Sequence, residues 1–260
     1  MPDTLTVCAL GRTSYAEATA LQSALVEARA AGTTGDWLLF VEHPPVVTAG
    51  RGAHADSLRV PPEQLARLGV EFHESSRGGD VTWHGPGQLV GYPICDLSAR
   101  GRDLHQFLRA LEQALIDALG GWGISATRAE GLTGVWVEGG KIASIGIAVR
   151  RWVSYHGFAL NVAPDLAGFD LIHPCGLRGV RMTSVQARLG DAAPDPDRAR
   201  ADVAETVGRR LGYRALSWAP PEAAWRAAQP ACSEARAAAS KAADGYDARP
   251  DDSNRGSHPC

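Results

Sequence analysis

The run from Ile124 to Val162 limits the fold more than any other part of the chain. It holds "ISATRA", "GVWVEG", "KIASIGIAVR" and "VSYHGFALNV", four strand-like segments joined by turns too short to carry a helix. Parallel neighbours need a crossover of about a dozen residues or more, so strands this close in sequence pair antiparallel, as a meander. Gly139-Gly140 is the clearest hairpin signal within it.

Helices flank this core. Tyr15, Ala18, Leu21, Leu25 and Ala28 recur every three or four residues behind the cap Ser14, which predicts an amphipathic helix to about Ala31. Asp103 caps a second helix that runs to about Leu119, with Leu104, Phe107, Leu108, Leu111 and Leu115 on one face and Gly120-Gly121 at its end. A third extends from Asp195 to about Leu211 through Val203 and Val207. Strand character recurs in "DWLLFVEHPP", "VVTAGRG", "GVEFHES", "LVGYPICDL" and "YRALSW". Strands outnumber helices without regular alternation, so the expected class is α+β, a mixed, largely antiparallel sheet with packed helices. Residues 1–217 are read as one catalytic-size domain. Beyond Pro220 the apolar pattern fails, and 226–260 are mostly Ala, Arg, Asp, Ser and Pro. Such a segment buries too little to offset an ordering cost of roughly 1 to 2 kcal/mol per residue. Residues 218–260 are therefore expected to form a flexible tail.

A net charge of -3 argues against a general nucleic-acid binder, and no run of about 18 apolar residues or charged leader indicates a membrane or export. The five cysteines, 8, 95, 175, 232 and 260, are odd in number and irregular in spacing, with no CxxC pair. Neither a disulfide framework nor a zinc site is encoded, and a reducing cytoplasm is the expected compartment.

The densest polar stretch is "RGGDVTWHGPGQLVGYP", residues 77–93. Its glycines let backbone approach a ligand, while Arg77, Thr82, His84 and Gln88 supply directed polar groups. Neither GxxxxGK[ST] nor GxGxxG fits it, so nucleotide binding is not supported. Lys141 opens the strand after the hairpin glycines. A solvated lysine at a turn is the ordinary reading, yet the chain otherwise fills 24 of its 26 basic positions with arginine, and only lysine readily gives up its proton. Ser144, Gly146, Gly157 and Ala159 place small residues where β-branched ones are expected, either to leave room for a ligand or to pack on another backbone.

Cys175, in "HPCGL", is either a buried small apolar residue or a nucleophile. At a thiol pKa near 8.5 only about 3% is ionised at pH 7, so a nucleophile benefits from a partner. His173 is two residues away and in extended chain points to the other side. An amine such as that of Lys141 would favour a thiolate-ammonium pair by roughly 2.6 kcal/mol before desolvation opposes it.

Taken together, "RGGDVTWHGPGQLVGY", "GGKIASIGIAVRRWVSYHGFALNV", "DLIHPCGL" and "TSV" resemble the bacterial octanoyltransferases, also called lipoyl(octanoyl) transferases or lipoate-protein ligase B, over roughly residues 5–217. The resemblance implies a biotin/lipoate protein ligase-like fold. It implies Cys175 as acyl-accepting nucleophile and Lys141 as the lysine that lowers its pKa. It implies substrate-binding segments at Arg77, Gly78, Gly79, Asp80, Val81, Thr82, Trp83 and His84, at Ser144, Ile145 and Gly146, and at Gly157, Phe158 and Ala159. The implied donor is octanoyl-acyl carrier protein, whose phosphopantetheine thiol carries the acyl group. The implied acceptors are lipoyl domains of 2-oxoacid dehydrogenase complexes or the glycine cleavage H protein. No ATP, metal or other cofactor is implied, and neither nucleic acid nor membrane is a partner. The rivals are an ATP-dependent ligase of the same fold and a silent binder of lipoyl domains or acyl groups. Arg150-Arg151 is either a contact for an acidic carrier or a solvated pair.

Overall fold

The computed structural model describes residues 3–173 and 179–229. Strand β1 (Thr4–Arg12) leads into helix α1 (Tyr15–Ala30), whose start is fixed by a capping box: Ser14 Oγ accepts from the Glu17 amide and Glu17 accepts from the Ser14 amide. Strands β2 (Asp36–Glu42) and β3 (Val46–Ala49), helix α2 (Pro62–Arg67), and strands β4 (Glu71–Glu74), β5 (Val81–His84) and β6 (Gln88–Ile94) follow. Helix α3 (Leu104–Gly121) precedes β7 (Thr127–Ala129), β8 (Leu132–Val137), β9 (Gly140–Arg150) and β10 (Val153–Asn161). The chain closes with β11 (Arg181–Met182), α4 (Val185–Leu189), α5 (Pro196–Arg210), β12 (Ala215–Ala219) and α6 (Pro221–Ala228).

The main sheet runs β12-β1-β2-β6-β10-β9-β8-β7, with β11 beside β9. Pairing is parallel from β12 through β2 and antiparallel from β2 to β7, so the sheet is mixed and largely antiparallel, and the meander forms its second half. Strands β4-β3-β5 make a separate small sheet.

Strand β2 reads as a continuous apolar run because both of its faces are covered. Leu38 and Phe40 join Phe107, Leu111 and Leu115 of α3 and Val203 and Val207 of α5. Trp37, Leu39 and Val41 join Leu21 and Leu25 of α1 and Ala224 of α6 on the opposite face. At the start of β2 the fully buried Asp36 accepts from Arg29 Nε at 2.6 Å, Tyr213 Oη at 2.6 Å and the Asp96 amide at 3.0 Å. One carboxylate thus ties α1, the sheet and the chain after α5 together.

Two expectations are corrected. The hairpin turn before β9 is Glu138-Gly139, both with positive φ, and pairing resumes at Val137 with Gly140. Gly140 is already a strand residue, and the glycine pair straddles the turn's end. The domain boundary expected at 217 falls inside β12, and ordered chain continues through α6. That helix carries no large-apolar periodicity because it packs with small residues: Ala224 is fully buried and Ala228 nearly so, while Trp225 is outside. Residues 230–260 lie outside the described residues.

Removing one partner of a buried ion pair leaves the other unpaired, at a cost of about 3 to 5 kcal/mol. Asp36→Ala should therefore lower the unfolding free energy obtained from urea titration by an amount in that range. A loss below about 1 kcal/mol would show that Arg29 and Tyr213 are satisfied without it.

Candidate active site

The loop before β5 lies across β9. Gly78 N donates to Ile147 O at 2.8 Å, and a Cβ at Gly146 would stand 2.9 Å from Gly78 O. Gly157, paired in register with Gly146, would place a Cβ 2.1 Å from Gly91 O of β6. Both glycines therefore serve close backbone approach, one beneath the loop and one between strands. Ser144, Ile145, Phe158 and Ala159, next to them, are left lining a cleft.

Arg77 clamps this loop to the small sheet. Its Nη2 donates to Thr48 O at 2.7 Å and Thr48 Oγ1 at 2.9 Å, and Nη1 donates to Gly78 O at 3.1 Å. Asp80 is also a fastener, accepting from Ser57 Oγ at 2.8 Å and from the Val81 amide at 2.6 Å. Along β5 side chains alternate between faces. Thr82 and His84 turn to the cleft, whereas Trp83 packs edge-on to Phe169 at 5.3 Å in the core of the small sheet. Trp83, expected in the substrate wall, is thus a core residue, and Val81 belongs to the same cluster while bordering the cleft.

Two cavities meet here. One, of about 60 Å³, is lined by Arg77, Gly79, Thr82, His84, Lys141 and Ser144, among others. The other, of about 260 Å³, is walled by Leu108, Leu132, Trp136, Ile145 and Ile147, with Gly78 at its edge. Lys141 borders both. It is only 2% exposed, so the solvated-turn reading does not hold. Its stem runs past Gly134, where a Cβ would stand 2.7 Å from Lys141 Cε, and its ammonium lies 5.6 Å from the Trp136 ring centroid.

Cys175 lies outside the described residues. The flanking residues are anchored to the site: His173 N donates to Ser57 O at 2.7 Å, and Thr183 N donates to Lys141 O at 3.0 Å.

Sequence reasoning missed Tyr15, Tyr92 and His156 as lining residues, and His43 behind them. His43 Nδ1 donates to Thr13 O at 2.7 Å, since a carbonyl only accepts, and Nε2 therefore accepts from Tyr92 Oη at 2.7 Å. His84 Nδ1 donates to Gln88 Oε1 at 3.0 Å, while Gln88 Nε2 donates to Trp83 O and to Asn161 Oδ1. His156 sits in a strand with φ of 55°, an unfavourable conformation for a residue with a side chain, and its amide donates to Gln22 Oε1 at 2.7 Å. The tyrosine of the "GQLVGY" spacing was a usable signal. Nothing in "VSYHGFALN" announces the left-handed residue that aims His156.

Burial, reinforced by charge from His43 and Arg77, pushes His84 down to about 3. Burial and Arg77 push His156 down to about 4, and burial lowers His43. All three are neutral near pH 7. Among the described residues no group of three or more His, Cys, Asp or Glu could hold a metal ion, and no helix is long and apolar enough to cross a membrane.

An unfolded histidine titrates near 6.5, so below that pH the unfolded chain binds protons that the folded one refuses. The stability that neutral burial of His84 and His156 contributes is complete above about 6.5 and is lost as pH falls toward 4, on the order of 1 kcal/mol per pH unit for each, and His43, lowered by burial, acts in the same direction. Urea midpoints measured from pH 7.5 to 5 should fall accordingly, and a flat profile would contradict the burial of neutral imidazoles.

Residues 14–208 match the family model described as the lipoyl protein ligase A/B catalytic domain. The chain is 55% identical to an octanoyltransferase of Geobacter sulfurreducens over 183 residues, 70% of this chain and 75% of that protein. It is 50% identical to an octanoyltransferase of Geobacter metallireducens over 204 residues, 78% and 90% of the two chains. In three dimensions it superposes on a crystal structure of lipoate-protein ligase A bound with ATP with a TM-score of 0.67 at 18% identity, covering 88% and 93% of the two chains. A structure of a bi-partite lipoate protein ligase and its E2 lipoyl domain from Thermoplasma acidophilum gives 0.61 at 17% identity, covering 88% of this chain and 91% of that one. The expected α+β, lipoate-ligase fold is thus the fold observed, and the chain belongs to the octanoyltransferases of the lipoyl protein ligase A/B family, which are acyltransferases.

Proposed function

We propose that this chain transfers an octanoyl group from the phosphopantetheine thioester of acyl carrier protein to a lysine of a lipoyl domain, in a 2-oxoacid dehydrogenase complex or the glycine cleavage H protein, through a thioester on Cys175. Cys175 Sγ, as thiolate, attacks the donor carbonyl; the new C–S bond replaces the old one, and the carrier thiol leaves with a proton. The lipoyl-domain amine then attacks the acyl-enzyme, the C–N bond forms, and the electron pair of the broken C–S bond returns to Cys175. Thioester exchange is nearly isoenergetic and amide formation from a thioester is downhill, so neither ATP nor a metal is needed.

The observation that carries this reading is the buried Lys141, bordering two cavities in a chain that otherwise uses arginine almost throughout. Its ammonium faces the thiolate in the first step and passes a proton to the leaving thiol. In the second step it helps take the proton released by the amine. Burial strengthens that role, because opposite charges attract more where water is excluded. The apolar cavity walled by Leu132, Trp136, Ile145 and Ile147 offers room for an acyl chain, at about 0.8 kcal/mol per methylene buried. The Arg150-Arg151 pair is not assigned to carrier binding: both guanidiniums are paired with Glu27 of α1.

Intact-mass spectrometry after mixing with octanoyl carrier protein tests the reading. A gain of one octanoyl unit is expected in the parent and none in Cys175→Ala. Free octanoate with ATP should give no adduct, and no adduct in the parent under either condition would favour a silent binder. Lys141→Arg keeps the cation but not the transferable proton, and should lose about 100-fold or more in turnover while remaining folded. Comparable acylation rates for this variant and the parent would remove Lys141 from the mechanism.

A further inference from the structure

Amine attack on a thioester demands a neutral amine whose lone pair points at the carbonyl carbon, and its N–H groups need acceptors while it waits. The guanidinium of Arg77 offers donors only, and Lys141, neutral once it has given its proton to the carrier thiol, is the group that takes the proton the amine releases. Tyr92 Oη donates its one proton to His43 Nε2 at 2.7 Å and keeps only the weaker acceptor strength of a phenol oxygen.

His84 is built the other way round. A directed chain fixes its tautomer: Asn161 Nδ2 donates to Thr183 O at 3.0 Å, leaving Asn161 Oδ1 to accept from Gln88 Nε2 at 3.0 Å. Gln88 Oε1 must then accept from His84 Nδ1 at 3.0 Å. The proton is held on Nδ1, the unprotonated nitrogen is Nε2, and the ring lines the cleft that also contains Lys141. The chain of bonds ends at Thr183, whose amide donates to the carbonyl of Lys141, so the two side chains are held by one hydrogen-bonded frame.

We infer that His84 Nε2 is the acceptor that receives an N–H of the incoming lysine amine and orients its lone pair toward the acyl-enzyme. His84 acts in the second half-reaction only and rests on the transfer reading above. It positions the amine and does not keep the proton: the C–N bond forms, the C–S bond breaks with its electron pair returning to Cys175, and the released proton reaches that sulfur through Lys141. Burial and the nearby Arg77 charge keep the imidazole neutral, so it remains an acceptor through the physiological range.

Two variants separate this role from a structural one. Asn at position 84 retains a donor near Nδ1 for Gln88 and has no acceptor near Nε2; Gln reaches the Nε2 position with an amide oxygen and forfeits the bond to Gln88. His84→Asn should be acylated by octanoyl carrier protein within about threefold of the parent, yet pass the acyl group to a lipoyl domain ~10- to 100-fold more slowly, the worth of one hydrogen bond in the transition state. His84→Gln should restore transfer to within about fivefold of the parent. A structural role predicts the reverse order, and equal loss in both half-reactions, or His84→Gln as slow as His84→Asn, would overturn the assignment. If neither variant folds, ¹⁵N-histidine NMR of the parent decides: Nε2 of His84 should be unprotonated from pH 5 to 8, and a proton on it would refute the proposal. Failure of the parent to form the Cys175 adduct would instead refute the transfer reading itself.

Discussion

The loop from Arg77 to Asp80 can rest on β9 only because Gly146 has no side chain, and most of the site depends on that contact. With the Gly78 amide bonded to Ile147 O, the small sheet is drawn against the main sheet, and the gap between them becomes the cleft. Arg77 then reaches back to Thr48 and fixes the loop from its other side. A methyl group at Gly146 would press on the Gly78 carbonyl at 2.9 Å and on the Arg77 stem at 3.3 Å. The clamp, the loop and the strand bearing Lys141 would all have to shift together.

That same geometry explains what could be read from residues alone. Helices α1, α3 and α5 and nearly every strand follow from apolar spacing and caps, since Leu21, Leu111 and Val203 report burial directly. Gly146 and Gly157 were conspicuous as small residues, but their purpose depends on which backbone lies opposite, and that is set by tertiary packing. Trp83 shares the motif of the wall residues but faces the core, because a motif is contiguous in sequence while a strand alternates in space. Helix α6 was invisible for a different reason: its contact with α1 uses alanines, whose burial leaves little signature in hydropathy.

The electrostatics of the cleft divide into two halves. Arg77 and Lys141 bring positive charge into a region where both side chains are at most 8% exposed. Three imidazoles, His43, His84 and His156, lie in the same region and stay neutral, their protonation opposed by burial and, at His84 and His156, by the Arg77 charge as well. The arrangement is self-consistent: the fixed cations suppress further cations, and the suppressed groups remain available as acceptors or as relays of a neutral hydrogen bond, as His43 is for Tyr92.

This division bears on why a lysine occupies position 141 in a chain so rich in arginine. Arg77 has a fixed charge and a fixed set of partners, which suits a clamp. A group that must stabilise an anion and then exchange a proton needs a pKa within reach of its partner's, and a guanidinium does not offer one. Gly134 leaves room for the lysine stem, since a Cβ there would stand 2.7 Å from Lys141 Cε, while the preference for lysine over arginine lies in its chemistry. The neutral imidazoles complement that choice: a nearby histidine with an ordinary pKa would compete for the same proton, whereas His84, pushed down to about 3, does not.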